Sequence, residues 1–351
     1  MTDLTQTIAP PSRSLPIVIF GAGSIVTDAH LPAYAKAGFR VAGIYDPDRE
    51  KAARVAPAGA SAYASMAEAT ALGTGAVYDL AVPPAAIAGI LQTLPEGAVA
   101  LIQKPLGSDL AAADEIIRIL RARKIRAAVN FQLRFAPMSL AVKDAIARGL
   151  LGEVVDFDAW LALDTPWHLW AFLNGLPRVE ILLHSIHYLD FVRDLLGNPA
   201  GVHARTMGHP SSAISNTRSA MILDYGSHVR ASLSINHNHA FGRKFQACEF
   251  RISGTKGAAY MKLGVNLDYP RGEPDELWLN TDGEWQQVPL AGNWFIEAFV
   301  GRITQVMRFA VGEDSELQGS AEDAWHTMAL VEAAYESSSA PAHPIRTSPD
   351  A

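Results

Sequence analysis

Between residues 16 and 131 the chain alternates short, almost wholly apolar runs with longer stretches in which apolar residues recur every three or four positions. The runs 16–20, 39–46, 76–82, 98–103 and 125–131 are rich in Val, Ile, Leu and Ala. They end beside Gly21, at Asp46, and before Pro83-Pro84 and Lys104-Pro105. The stretches 24–37, 48–56, 86–94 and 110–124 between them read as helices. Strands apolar on both sides must be covered on both faces, and right-handed crossovers then give a parallel, doubly wound α/β sheet.

After about residue 130 the rhythm changes. A helix over 139–149 and two helical pieces within 168–196 give way to strand-like runs at 153–163, 219–225, 228–237, 247–253 and 259–263. The runs 276–280 and 284–290 resemble a hairpin turning at Asp282-Gly283. Short turns between consecutive strands predict an open, largely antiparallel sheet with flanking helices, an α+β unit. Helices over 293–311 and 320–337 complete the pattern. The expected division is a flexible polar tail (1–15), a Rossmann dinucleotide-binding α/β unit (16–130) and a substrate-binding and oligomerisation unit (131–340).

Composition narrows the function. With 351 residues, 49% hydrophobic and 19% charged, the chain has material for two packed cores. A net charge of −7 without any basic block argues against nucleic acid and anionic membrane as partners. No apolar stretch reaches the roughly 20 residues of a membrane span, and the first residues lack a signal peptide's apolar segment. The single cysteine, Cys248, forms no intrachain disulfide. A cytoplasmic location is the expectation.

The turn Gly21-Ala22-Gly23-Ser24-Ile25-Val26 lies where the first strand meets the first helix. Gly21 permits the tight turn and Gly23 lets a pyrophosphate approach the backbone. The helix start at Ser24 and Ile25 offers free N–H groups to it. The third fingerprint glycine is replaced by Val26. Asp46, ending the second strand, is either the partner of the adenosine ribose, favouring NAD, or a turn residue in Asp46-Pro47-Asp48. Arg49 beside it keeps NADP open.

Several motifs then coincide. Residues 21–34, Val82-Pro83-Pro84, Gln103-Lys104-Pro105-Leu106, 130–137, 184–197 and 322–338 together resemble the glucose–fructose oxidoreductase/inositol dehydrogenase (Gfo/Idh/MocA) family over nearly the whole chain. The resemblance implies a Rossmann domain followed by an open-faced sheet that lines the substrate pocket and joins subunits into a dimer or tetramer. It also implies NAD or NADP as cofactor, a sugar or polyol substrate and no metal. Pro83 and Lys104 fall at cofactor-binding positions. Lys104 and His187 match the family's catalytic lysine and histidine. Gln103 stands in place of a glutamate, and Leu183 in place of the aspartate four residues before the histidine.

Substitutes for that aspartate lie close by. On an α-helix Glu180, His184 and His187 would share one stripe. Glu180 then either orients an imidazole or caps the helix, and His184 either contacts substrate or packs at a domain interface. Trp167, His168 and Trp170 offer either a sugar-stacking platform or core. Arg134 either fixes a substrate oxygen or bridges the domains. Asn236, His237, Asn238 and His239 form a polar cluster that lines the pocket or an interface, and Asp190 reads as structural. The expected activity is hydride transfer from a secondary alcohol to nicotinamide, with His187 taking the hydroxyl proton and Lys104 holding the oxygen and, its pKa lowered by burial beside the nicotinamide, sharing the proton transfer. Glycoside hydrolysis through transient oxidation and a non-catalytic NAD-bound sensor are the alternatives.

Overall fold

A computed structural model describes residues 3–170, 173–269 and 271–346. Residues 1–2 of the expected tail and 171–172 of the first expected helical piece lie outside them.

The first sheet has six parallel strands: β1 (Ile17–Phe20), β2 (Val41–Tyr45), β3 (Ser61–Ala62), β4 (Val77–Leu80), β5 (Val99–Ile102) and β6 (Arg126–Val129), in the order β3-β2-β1-β4-β5-β6. This is the doubly wound dinucleotide-binding order, with its switch point between β1 and β4. Every residue of β1 and β4 is buried, as their continuous apolar pattern requires.

Helices α1 (Leu31–Ala37), α2 (Arg49–Val55), α3 (Met66–Thr70), α4 (Pro84–Leu91) and α5 (Leu110–Ala122) connect the strands. A π-helical turn, Val26–His30, leads into α1. Short polar side chains cap several helices. Asp48 accepts from the Lys51 N–H, Ser65 from Glu68 and Asp109 from Ala112. The short pair β3 and α3 was not expected from the sequence.

The second sheet has eight strands. These are β7 (Val154–Ala162), β8 (Gly201–Met207), β9 (Arg218–Asp224), β10 (Arg230–Asn236), β11 (Ala247–Gly254), β12 (Ala258–Lys262), β13 (Glu276–Asn280) and β14 (Trp285–Val288). Their order is β14-β13-β12-β11-β7-β10-β9-β8, antiparallel except where β10 runs parallel to β7. Strand β8, half-exposed at the edge, was missed.

The alternation is clean. Phe157, Ala159 and Leu161 of β7 face inward with Leu233, Ile235, Phe250 and Ile252. Trp160 and Ile222 stand on the open face, 41% and 56% exposed. Helix α6 (Pro137–Ala147) follows the first sheet, and α7 (Ile186–Leu196) covers the inner face of the second. Phe191 stacks on Phe250 at 5.5 Å there. Among the described residues, no helix is long and apolar enough to cross a membrane.

Two expectations about boundaries need correction. Segment 3–15 is packed rather than free. Leu4 is buried, the Thr5 N–H donates to Asp144 (3.0 Å), Gln6 bonds Pro289 and Ala291, and Ser12 bonds Glu313. Its polar side chains satisfy partners on the second half instead of water. Of the C-terminal helices α8 (Trp294–Ala310) and α9 (Ala321–Ser339), α9 holds β8 of the second sheet, Ser337 and Ser338 accepting the Ala204 and Thr206 N–H groups, but α8 packs on the first sheet instead. Phe299, Ile303, Val306 and Met307 of α8 share a core cluster with Ile17, Ile19, Ala22 and Val26.

A buried ionic hub ties the halves together. Arg134, in a one-turn helix after β6, donates two bonds to Asp190 (both 2.5 Å) and reaches Asp194 at 3.1 Å and Asp323 at 2.8 Å. Arg193 also holds Asp323, at 2.9 Å, and Lys143 holds Asp194, at 2.9 Å. Arg134 was a candidate substrate contact. Its guanidinium is instead engaged inside the protein, and Asp190 is structural. We predict that Arg134→Met lowers stability by about 3–5 kcal/mol, because it strands buried carboxylates. Adding Asp190→Leu should recover part of that loss. Urea denaturation followed by circular dichroism checks both, and an Arg134→Met midpoint equal to wild type would refute the hub's role.

Candidate functional site

The loops leaving the C-terminal ends of β1, β4 and β5 meet at the switch point. The Gly21 N–H donates to the Tyr45 carbonyl (2.7 Å), and Gly21 has φ +100°. A Cβ on Gly21 would lie 2.3 Å from the Ala81 carbonyl oxygen, so only glycine fits between the two loops. A Cβ on Gly23 would meet nothing within 4 Å. The turn is thus closed behind by Gly21 and open in front at Gly23. Ser24 is exposed and Ile25 half-buried at the helix start. Val26, where the fingerprint has glycine, is fully buried and opens the π-turn.

Asp46 accepts the Ala22 N–H (2.8 Å) through one oxygen and the Asp48 N–H (2.9 Å) through the other. It therefore holds the glycine turn and forms the local turn as well. Arg49 is exposed at the start of α2, and Pro83 is exposed at the start of α4. These residues fit a dinucleotide: open backbone at Gly23, free helix N–H groups, and a carboxylate at the end of β2.

Behind the turn runs a buried polar chain that the sequence reading missed. His30 Nδ1 lies 2.7 Å from Asp79, which also accepts from the Tyr34 hydroxyl at 2.6 Å. Asn130 stands 3.4 Å from His30 Nε2 and donates to Gln103 at 2.8 Å. The signal was available, since an aspartate inside the apolar run 76–82 must be buried with a partner. The chain ends at Gln103, the neighbour of Lys104.

Lys104 is partly buried, and its amine donates to the Leu183 carbonyl (2.9 Å). Burial pulls its pKa down to about 8. His187 is buried between the ring edges of Phe131 (6.0 Å) and Trp294 (6.1 Å). Burial first, and the charges of Lys104 and His184 next, hold the His187 pKa well below the usual imidazole range. The His184 pKa is likewise depressed, by burial and then by His237 and Lys104. Lys104, His184 and His187 therefore lie close enough to feel one another.

The expected α-helical stripe of Glu180, His184 and His187 is altered. Residues Glu180–Ser185 form a second π-helical turn, in which the residue one turn on is i+5. Glu180 consequently meets the Ser185 hydroxyl, and His237 Nε2 lies 3.8 Å away. Burial raises the Glu180 carboxyl to about 7. Glu180 does not orient His187.

From the polar cluster 236–239, His237 joins the site. Its ring centroid is 4.3 Å from that of His184 and 5.0 Å from that of Trp167. Asn238 accepts from Thr217, and the Asn236 side chain accepts the Asn238 N–H. Trp170 packs on Tyr269 at 5.4 Å. His168 is exposed, and among the described residues no hydrogen bond or ring contact joins it to this group. Cys248 lies buried beside Tyr188 at 3.4 Å, its thiol raised to about 12 and unreactive.

Comparison with known proteins agrees with this architecture. A family profile described as the oxidoreductase family, NAD-binding Rossmann fold, of GFO/IDH/MocA matches residues 15–131. The GFO/IDH/MocA C-terminal domain profile matches residues 139–260. The chain is 25% identical over 253 residues to D-apiose dehydrogenase of Rhizobium rhizogenes, covering 68% of this chain and 69% of that protein. It is 26% identical over 203 residues to 1,5-anhydro-D-fructose reductase of Ensifer adhaerens, covering 57% of this chain and 59% of that protein. Its fold matches a crystal structure of an oxidoreductase from Agrobacterium radiobacter in complex with NAD+, L-tartaric acid and magnesium. The TM-score is 0.76 at 21% identity, over 93% of this chain and 96% of that one.

The contrast between the two glycines makes a test. Gly23→Val should fold normally yet weaken NADH binding by at least about tenfold, or about 1.4 kcal/mol, because its side chain occupies the phosphate approach. Gly21→Ala should instead impair folding. Fluorescence titration of NADH into protein shown to be folded decides it, and unchanged affinity in Gly23→Val would remove the phosphate from this turn.

Proposed function

Since the chain belongs to the GFO/IDH/MocA family of oxidoreductases, we propose that it is an NAD-dependent dehydrogenase oxidising a secondary alcohol of a sugar, sugar derivative or cyclitol. The observation carrying this reading is the Lys104 amine, which is partly buried, held by a backbone carbonyl, and flanked by two imidazoles poor in protons. The names of relatives acting on apiose and anhydrofructose support the substrate class.

Bound nicotinamide supplies the two-electron acceptor for the hydride. The chain's own residues manage the proton. With a pKa near 8, about a tenth of Lys104 is neutral amine at pH 7 and about half at pH 8, able to take the proton from the substrate hydroxyl. His187, held neutral by burial, is a weak base and serves better as a hydrogen-bonding partner of the same oxygen. These roles give Lys104 the larger part of a proton transfer that the sequence expectation shared between it and His187. Trp167, half-buried against His237, offers an aromatic wall suited to the C–H face of a sugar ring.

Asp46 supports NAD over NADP. Its carboxylate ends β2 beside the glycine turn and would repel a 2′-phosphate.

Two experiments test these assignments. In calorimetric titrations NAD+ should bind more tightly than NADP+, and equal or tighter NADP+ binding would hand the choice to Arg49. In a polyol oxidation assay kcat/KM should rise with pH along a limb at or below about pH 8. The direction follows because the neutral amine is the active form, and the oxidised nicotinamide's positive charge pushes the limb lower. Lys104→Met should abolish the limb and lower kcat by about 100- to 10,000-fold. Lys104→Arg should not rescue it, since a guanidinium does not give up its proton near neutral pH. A limb that persists in Lys104→Met would assign the proton to another group.

A further inference from the structure

We propose that Glu180, His184 and His237 form a binding site for one divalent transition-metal ion of the zinc class. The second π-turn presents Glu180 and His184 together, and the end of β10 brings His237 across to them. One ligand atom from each residue lies within 4.8 Å of the other two. The centre of such a triangle is no more than about 2.8 Å from any donor, against the roughly 2.0–2.2 Å that zinc takes, so closure needs shifts of about 0.6–0.8 Å.

The donors are also unspent. Glu180 Oε2, His184 Nδ1 and His237 Nε2 are all buried and have no hydrogen-bond partner among the described residues. Each such atom costs about 1–3 kcal/mol when left unpaired. Three residues within reach of one another, each with such an atom, mark a place that a ligand completes. Two imidazole nitrogens and one carboxylate oxygen form a zinc set, whereas magnesium and calcium prefer oxygen alone.

The surroundings orient two of the donors. His237 Nδ1 lies 2.7 Å from the Thr165 hydroxyl, and donation of Nδ1–H to it leaves the Nε2 lone pair facing Glu180. The Ser185 hydroxyl donates to the other Glu180 oxygen. Three protein ligands leave a fourth position for water or a substrate oxygen, the pattern of a catalytic rather than a structural zinc. That last step rests on the oxidoreductase reading; the binding itself does not.

The test uses untagged full-length protein, stripped with a chelator and titrated with Zn2+ and Co2+ in the absence of cofactor and substrate. One equivalent per chain should bind, with Co2+ giving visible absorption bands of low-coordinate geometry. Magnesium in hundredfold excess should not displace the metal. Glu180→Gln and His237→Gln should each lose the stoichiometric site while retaining NADH binding, which reports the fold from the other sheet. Thr165→Val keeps all three ligands and should weaken the metal by about 10- to 100-fold. Absence of a stoichiometric site in the wild type, or equal affinity in folded Glu180→Gln and His237→Gln proteins, would overturn the proposal even if dehydrogenase activity were found.

Discussion

The Arg134 guanidinium, sunk between the two halves and shared by Asp190, Asp194 and Asp323, sets the geometry on which the site depends. Removing a charge from water costs several kcal/mol, and only close, multiple hydrogen bonds compensate. The arginine therefore dictates where its partners stand. Asp190 and Asp194 lie on α7, the helix that carries His187 at its start. Arg134 lies five residues beyond the end of β6, and Asp323 lies on α9. The pairing consequently positions His187 against the first sheet, and with it Lys104 at the end of the neighbouring β5. Three cations (Arg134, Arg193 and Lys143) face three carboxylates, so the hub is close to neutral as a whole.

Both loops of the candidate site use the same local device. Val26–His30 and Glu180–Ser185 are each a π-helical turn, one in each half of the chain. A π-turn widens the helix and changes which side chains stack, so it can carry polar groups inward that a regular helix would set on different faces. In the first turn His30 reaches Asp79 across the sheet. In the second Glu180 reaches Ser185 and His237, leaving His187 on the regular helix that follows.

These devices explain what the sequence could tell. The strands of the first sheet were legible because burial on both faces leaves an unbroken apolar signature, and β7 and β9–β14 because their alternation matches the pleat. Strand β8 has no such contrast, and β3 is only two residues long. Periodicity reveals that α8 has an apolar face but not which sheet that face meets. Polar composition hid the anchoring of segment 3–15, which turns on one buried leucine and a handful of hydrogen bonds. In the site, Lys104 and His187 were found through motif resemblance. His237 was visible only as part of a polar cluster, because its approach to His184 depends on the placement of β10 relative to the π-turn. The expected Glu180–His187 partnership failed because it assumed α-helical spacing throughout.

The replacement at position 103 bears on the chemistry. Gln103 is neutral and receives a hydrogen bond from Asn130, which is itself tied to the His30–Asp79 pair. A glutamate there would place a carboxylate one residue from the Lys104 amine in partly buried surroundings, and the attraction would favour the charged ammonium. With glutamine, burial is the sole cause of the Lys104 shift, and the amine titrates near 8. The loss of a carboxylate at Leu183 acts the same way, since the amine's partner there is a backbone carbonyl, which carries no net charge. Both departures from the family pattern therefore remove negative charge from around Lys104. Together they leave the amine held by a backbone carbonyl alone, able to exchange between its two forms near neutral pH, as the proposed proton transfer requires.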